Sequence, residues 1–291
     1  MTPMITNLFE LIRLRSWIKN TIIFAPLFFS GKIKNISDIY LTTIAFLAFS
    51  FLTSSIYILN DFIDLNHDRL HPIKKKRPLA SSKIRVKSAL LLAALLLLSS
   101  LFLIFQLSIS TTYIFLIYLI IMSAYCLYFR KIALIDITII AFGFVLRIYV
   151  GSTISQIEIS SWIIIMTFLL ALFIALSKRR DDLINQISED EYKRKSLDGY
   201  NLKLIDSLLT TLSPTIIVCY ILYCISDINI SRIGQDFYLT SIYVIFGFSR
   251  YFQLVYVYNK GGDPIEILYK DIYLKLILLF WILNFSWVLY Y

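Results

Sequence analysis

Residues 88–129 read SALLLAALLLLSSLFLIFQLSISTTYIFLIYLIIMSAYCLYF, 42 consecutive positions without one Asp, Glu, Lys, Arg or His. Wound as a helix at about 1.5 Å per residue, the stretch is about 63 Å long, twice the roughly 30 Å of a hydrocarbon core. Its polar break, Gln106 to Thr112, falls in the middle, where a turn between two crossings belongs. The rest of the 291-residue chain agrees: 58% of it is hydrophobic and 16% charged, and the mean hydropathy is +0.75. A soluble domain carries about 25% charged residues. The fold class that follows is an all-α integral membrane protein.

Working outward, apolar segments recur at 18–31, 40–59, 88–105, 113–129, 132–152, 161–177, 205–225, 237–258 and 272–291. They predict about nine transmembrane helices in one domain over residues 1–291. The first is short and the eighth contains Arg250. With the N-terminus inside, the even-numbered connections are cytoplasmic. Of the 28 Lys and Arg, twenty then lie inside: three in the N-terminal arm, eight in 69–87, two at 130–131 and seven in 178–203. The outer connections hold only Lys32, Lys34 and Arg232. Cytoplasmic loops are richer in Lys and Arg, so this bias fixes a cytoplasmic N-terminus and cytoplasmic loops near 61–87 and 178–203. The net charge of +9 is met by topology and anionic lipid and needs no nucleic-acid partner.

Two features carry less chemistry than they promise. Cys126, Cys219 and Cys224 all sit in apolar segments without metal-ligand spacing and read as small buried hydrophobes. His67 and His71 are four apart but stand in a loop crowded with Asp and Lys, and read as polar loop residues rather than a transition-metal pair. At the N-terminus, Trp17, Asn20 and Pro26 interrupt the apolar run and no small-residue cleavage site follows, which favours an uncleaved first span over a signal peptide.

The second span closes on Asn60-Asp61-Phe62-Ile63-Asp64-Leu65-Asn66-His67-Asp68. At about 100° per residue, Asp61, Asp64 and Asp68 fall within a sector of roughly 60° on one helix face. Three carboxylates at a helix C-terminus oppose the macrodipole and repel one another unless a positive charge sits among them. A hard divalent cation answers this, and Mg²⁺ completes its shell with substrate phosphates. The plainer alternative is a helix ending in water with a few acids. Lys74-Lys75-Lys76-Arg77 follows between Pro72 and Pro78, which stop any helix. Carboxylates for a metal beside cations for phosphates are the parts of a diphosphate site. Arg77, held by the following proline, is the favoured phosphate contact, while topology alone is an equal account of Lys74 to Lys76.

Together these motifs resemble the UbiA prenyltransferase superfamily. Further matches are Arg15-Ser16-Trp17-Ile18-Lys19-Asn20, Asp136 with Gly143-Phe144-Val145-Leu146-Arg147, and Ser177-Lys178-Arg179-Arg180 leading to Lys195-Ser196-Leu197. Within the superfamily the likeness is greatest to the decaprenyl-phosphate, or polyprenyl-phosphate, phosphoribosyltransferases. One departure bears on the branch. Members that move prenyl groups carry a second Asp-rich motif after span six, where this chain has Lys178-Arg179-Arg180-Asp181-Asp182. A basic entrance suits partners bearing more phosphate than one diphosphate.

The resemblance implies a Mg²⁺-dependent transferase in the bacterial cytoplasmic (inner) membrane, with its active site on the cytoplasmic side and a role in cell-envelope biosynthesis. It implies phosphoribosyl pyrophosphate as donor, a polyprenyl phosphate lipid as acceptor and membrane lipids as surroundings. On that reading Asp61, Asp64 and Asp68 hold the metal. Lys19, Lys178, Arg130 and Arg179 are candidates for the 5-phosphate and the acceptor phosphate, and Asn60 and Tyr125 for hydrogen bonds. Arg147, charged inside an apolar span, must face the bundle interior, paired with Asp136 or with a substrate phosphate. Two other functions stand beside this one: a UbiA-type enzyme moving a prenyl group from a prenyl diphosphate to an aromatic or other acceptor, and a transporter without chemistry. A transporter's ionisable residues would line a path through the spans, whereas here nearly all charge lies at one surface.

Overall fold

The computed structural model describes residues 3–31, 35–70, 74–187, 195–258 and 264–290. Lys32, Lys34, His71, Pro72 and the acidic and basic run from Glu189 to Arg194 lie outside the described residues. Every regular element among the described residues is helical. In chain order the α-helices are α1 (Pro3–Leu11), α2 (Ala25–Phe29), α3 (Ile36–Ile63), α4 (Leu65–Leu70), α5 (Val86–Ile104), α6 (Ile109–Leu127), α7 (Ile135–Ser155), α8 (Ser161–Ile187), α9 (Leu202–Cys224), α10 (Asp227–Ile233), α11 (Ser241–Phe252), α12 (Pro264–Lys270) and α13 (Ile272–Tyr290). Seven of them, α3, α5, α6, α7, α8, α9 and α13, are long and apolar enough to cross a membrane.

The first and eighth segments expected as spans are helical but not as single α-helices. The first is an 11-residue 3₁₀ stretch, Leu14–Phe24, followed by the short α2. Pro26, in the first turn of α2, has no N–H to donate and its ring excludes a continuous α-helix through it. The eighth divides into a 3₁₀ turn at Gln235–Thr240, α11, and a π-helical turn at Gln253–Val257.

The chain packs as two compact units, Met1–Leu127 with Leu146–Glu158, and Tyr128–Val145 with Ile159–Tyr291. In the first unit α3 and α5 lie close because small residues face each other: Ala45, Ala48, Ala89 and Ala93 are all buried. Small side chains let helix backbones approach in lipid, where apolar burial no longer drives association. Two hydroxyls then reach across to carbonyls of the opposite helix, Ser55 Oγ to Ala93 O at 2.9 Å and Ser100 Oγ to Ala48 O at 2.7 Å.

The 3₁₀ stretch runs antiparallel along α3. Arg13 meets Asp61, Trp17 Nε1 donates to Ser54 Oγ at 3.0 Å, Asn20 Nδ2 donates to Ser50 Oγ at 3.0 Å, and the rings of Phe24 and Phe46 are 5.9 Å apart. From Arg13 to Phe24 the partner on α3 retreats from Asp61 to Phe46, about 22 Å of α-helix, so this strip advances about 2 Å per residue, the rise of a 3₁₀-helix. α7 passes close beside it at Gly151, where a Cβ would stand 2.0 Å from the Ile23 carbonyl oxygen.

The second unit is organised around α8 and α9. Phe173, Leu176, Ile205, Leu209, Tyr251 and Leu254 are among the buried residues of its core. Phe173 packs edge-on to Phe248 and Tyr251 at 5.0 and 5.2 Å. Asn201 caps α9, its Oδ1 accepting from Leu204 N at 2.8 Å.

Candidate active site

The acidic motif straddles the junction of α3 and α4. Asp64 sits at the break, its N–H bonded to Asn60 O at 3.0 Å while its own carbonyl accepts from Asp68 N at 2.8 Å, so the helix is nearly continuous. Asp61 and Asp68, two turns apart, therefore share a face, and both are buried, at 4% and 3% exposure. Asp64 is half-buried and accepts from Asn60 Nδ2 at 3.3 Å.

The positive charge that such a face requires is present as two guanidiniums. Arg77 Nη1 donates to Asp61 Oδ1 at 3.0 Å and to Asp68 Oδ2 at 2.6 Å. Arg13 Nη2 donates to the same Asp61 oxygen at 2.5 Å, and its guanidinium lies 4.7 Å over the Tyr57 ring. Two arginines thus balance two buried aspartates, and Asp64 adds a further acid beside them. The arginines are 26% and 30% exposed, so removing one costs less than the roughly 3–5 kcal/mol of a fully buried pair.

A small apolar cluster holds these groups in place. Leu11, Ile58, Leu79, Ala89 and Ala93 pack together, tying the end of α1, the end of α3, the loop after Arg77 and the start of α5. Leu79 anchors the loop, and Ser81 N to Arg77 O at 2.9 Å and Ile84 N to Pro78 O at 3.2 Å fold it into a tight turn. Arg13 takes a left-handed backbone, φ 53°, which is unfavourable for a residue with a Cβ and turns the chain from α1 into the 3₁₀ stretch. Arg13 is the member of this cluster that the sequence reading did not anticipate. Its only local signal was membership of a basic N-terminal arm, which topology alone explained.

Among the described residues no three His, Cys, Asp or Glu side chains stand close enough together to hold a metal unaided. Mg²⁺ asks for less: one or two carboxylates, with water and phosphate oxygens for the rest. Asp61 and Asp68, buried carboxylates converging on one point, with Asp64 and Asn60 beside them, are hard oxygen donors of the kind it takes.

Deeper in the first unit Arg147 is 5% exposed. Its Nε donates to Asn20 Oδ1 at 2.9 Å, its Nη2 donates to Tyr118 OH at 3.1 Å, and its guanidinium lies 4.8 Å over the Phe49 ring. Asn20 in turn donates to Ser50 and Thr53. The expected inward orientation is observed, but Asp136 is not the partner. Asp136, fully buried in the second unit, accepts from Arg179 Nε at 2.8 Å and from Tyr200 OH at 2.7 Å. The physical reason is reach: residues 136 and 147 are about 16 Å apart along one helix.

Arg179 is itself buried and also bonds Asp182 at 3.0 Å, while Arg180 takes Asp206 at 2.7 Å. Tyr200 OH accepts from Leu134 N at 2.7 Å. Burial, reinforced by the bond to Asp136, raises the Tyr200 phenol above the ordinary tyrosine range, so it stays a neutral donor. Lys178 beside this group is exposed, and Arg130 is half-buried in the 3₁₀ turn Phe129–Lys131. In the first unit Lys19 is half-buried on the 3₁₀ stretch, and Tyr125 packs on α6 against the core.

With this geometry established, the chain's similarities can be placed beside it. The profile of the UbiA prenyltransferase family matches residues 21–263. The decaprenyl-phosphate phosphoribosyltransferase of Mycolicibacterium smegmatis is 29% identical over 299 aligned positions, covering 99% of this chain and 94% of that one. The enzyme of the same name from Corynebacterium glutamicum is 27% identical, covering 95% and 84%. A UbiA homolog from Archaeoglobus fulgidus, solved bound to GPP and Mg²⁺, shares the fold with a TM-score of 0.69 at 20% identity, over 97% of this chain and 99% of that one. Matched by the family profile over most of its length, and built of apolar helices long enough to span a bilayer, the chain belongs to the UbiA prenyltransferase family and is a membrane transferase.

Proposed function

We propose that the chain transfers 5-phosphoribosyl from phosphoribosyl pyrophosphate to a polyprenyl phosphate, releasing diphosphate. The observation that carries this reading is Arg77, shared between Asp61 and Asp68 with Arg13 alongside: carboxylates for a cation and guanidiniums for phosphates in one cluster. The choice of branch is supported by the near-full-length similarity to decaprenyl-phosphate phosphoribosyltransferases.

In the reaction the bond from C1 of the donor to its diphosphate breaks, and a bond from C1 to a phosphate oxygen of the lipid forms. The attacking oxygen is already an anion, so no general base is required. Asp61 and Asp68, with Asp64 beside them, would hold Mg²⁺, which would supply neutralisation of the leaving diphosphate. Arg13 and Arg77 contribute fixed positive charge for phosphate oxygens, bidentate where the planar fork allows. Asn60 orients Asp64. Lys19 in the first unit, and Lys178 and Arg130 in the second, are assigned to the remaining phosphates. Tyr125 serves as a hydrogen-bond donor and Arg147 as a buried cation, while Arg179 acts by holding Asp136 and Asp182. Catalysis here is positioning and electrostatics.

We read the chain as one domain of nine crossings in the bacterial cytoplasmic membrane, N-terminus and site on the cytoplasmic face. Leu14–Phe24 and α2 supply the first crossing, since at about 2 Å per 3₁₀ residue they reach about 30 Å. The segment from Gln235 to Val257 supplies the eighth.

The test is label transfer. Membranes holding the protein, labelled phosphoribosyl pyrophosphate, polyprenyl phosphate and Mg²⁺ should yield label in the organic phase, lost in Asp61→Asn and Asp68→Asn. A second reading, transfer of a prenyl group from a prenyl diphosphate, comes from the family's own description as prenyltransferases, whose fold is shared by a UbiA homolog solved with GPP. Membranes that transfer only a labelled prenyl diphosphate would establish it in place of the first.

A further inference from the structure

The seam between α11 and α13, in the second unit, carries two open grooves that the proposed reaction does not use. One, of about 520 Å³, is lined by Phe246, Ser249, Arg250, Gln253, Tyr273 and Ile277. The other, of about 320 Å³, lies further along the same two helices, at Tyr243, Phe280, Leu283, Asn284 and Trp287. α13 is a candidate span beginning at Ile272, so Tyr273 and the groove beside it stand at a membrane interface, and the second groove follows the span inward.

The polar end of the first groove is rich in donors. Arg250 Nε and Nη2 donate to the two carboxylate oxygens of Asp271 at 3.3 and 2.8 Å, and Nη1 donates to Gln253 Oε1 at 2.6 Å. A guanidinium has five N–H groups, so two remain beyond these three. The Gln253 amide nitrogen and the Tyr273 hydroxyl add further donors at the same end. The Ser249 hydroxyl returns its proton to Ile245 O at 2.9 Å. The guanidinium is stacked 4.7 Å over the Tyr273 ring and 5.8 Å from that of Tyr258, which fixes its plane. The charge of Arg250 is met by Asp271, so the groove's polar end offers hydrogen-bond donors around an ion pair. Beyond it the lining is apolar or aromatic: Phe246, Ile277, Phe280 and Leu283.

A ligand for such a groove must be acceptor-rich at one end, to meet the donors of Arg250, Gln253 and Tyr273, and hydrocarbon for the remainder. We infer that the α11–α13 seam is a binding site for a phosphodiester membrane phospholipid, its phosphate held by Arg250, Gln253 and Tyr273 and one acyl chain laid along the seam. The Arg250–Asp271 pair is a preformed half of the site: it holds the guanidinium in place and leaves its outer edge to the phosphate.

The test uses the whole chain purified in mild detergent, with bound lipid counted by native mass spectrometry and extracted phosphate. Wild type retains about one phospholipid per chain through washing. Gln253→Leu with Tyr273→Phe, which leaves the Arg250–Asp271 pair intact, lowers retention by about tenfold, the scale of one or two lost hydrogen bonds. Ser249→Trp, which fills the groove, abolishes retention, and thermal unfolding monitors the fold of each variant. Equal retention in wild type and all folded variants overturns the proposal. So does displacement of the phospholipid by stoichiometric polyprenyl phosphate, which makes the seam an acceptor site, or retention of a lipid lacking phosphate.

Discussion

Arg77 is the residue on which the site's electrostatics turn, because one of its nitrogens serves two buried carboxylates. Arg77→Lys keeps the charge, and its ammonium has donors enough for both carboxylates, but it loses the planar guanidinium edge that is proposed to meet phosphate oxygens. Label transfer should fall roughly hundredfold, as for loss of one preorganised charge contact, with little change in thermal unfolding. A lysine variant transferring at the wild-type rate would falsify the role given to the guanidinium. Asp271 allows a test by pH. Hydrogen bonds from Arg250 hold its carboxyl below the usual carboxylate range. The folded value is the lower, so the contribution to stability is present above the unfolded value near ~3.9 and fades as pH falls through the folded one. The difference in unfolding temperature between wild type and Asp271→Asn should be present at pH 6 and shrink below about pH 4. At this scale the sequence was informative about type and less so about partner. The shared face of Asp61 and Asp68 was legible because helical spacing alone sets it, whereas Asp64, expected with them, stands at the break between α3 and α4 with a bond from Asn60. Arg13 was not legible, since its role depends on a chain that folds back along α3. Nor were the partners of Arg147 and Asp136, which come from residues 127 and 43 positions away.

The helices themselves were read nearly in place wherever apolar residues run unbroken, as in α5 and α6, because a lipid-facing helix needs no periodic pattern to announce it. The first and eighth segments were read as spans of ordinary α-helix, and their winding was missed. Pro26 is visible in the sequence, but the 3₁₀ winding before it answers to partners on α3 that only the fold supplies. Packing between elements gives a paired prediction. Gly151→Ala sets a methyl group 2.0 Å from the Ile23 carbonyl oxygen and must push the 3₁₀ stretch away. It should destabilise by about 1–3 kcal/mol or more, the range for overpacking a close contact. Gly247→Ala on α11 meets nothing within 4 Å and should be neutral or stabilising by up to about 1 kcal/mol, through better helix propensity. Thermal unfolding of both variants in one detergent decides it: equal behaviour would mean that the approach of α7 to Ile23 is not as close as described.

For the whole molecule, the proposed path of the chain through the bilayer is tested by labelling from each side. In a background lacking the native cysteines, Met4→Cys and Ser81→Cys should react with an impermeant maleimide only in inside-out vesicles, and Glu158→Cys only in intact cells. Labelling of Met4→Cys from the side opposite Ser81→Cys would remove the first crossing. The charge bias that predicts this pattern was readable from composition, whereas the division into two packed units was not, because α7 gives its first half to one and its second half to the other. The hydroxyl clasp between α3 and α5 has a consequence in time as well as in space. Every residue of the charged cluster lies between positions 13 and 77, and the clasp that fixes both ends of its loop is complete by Ser100. During synthesis, then, the acid–base cluster has all its members out of the ribosome while more than half of the chain is still to be made. The proposed metal and phosphate centre is in this sense the oldest part of the chain at birth, its charges paired before the later helices are made.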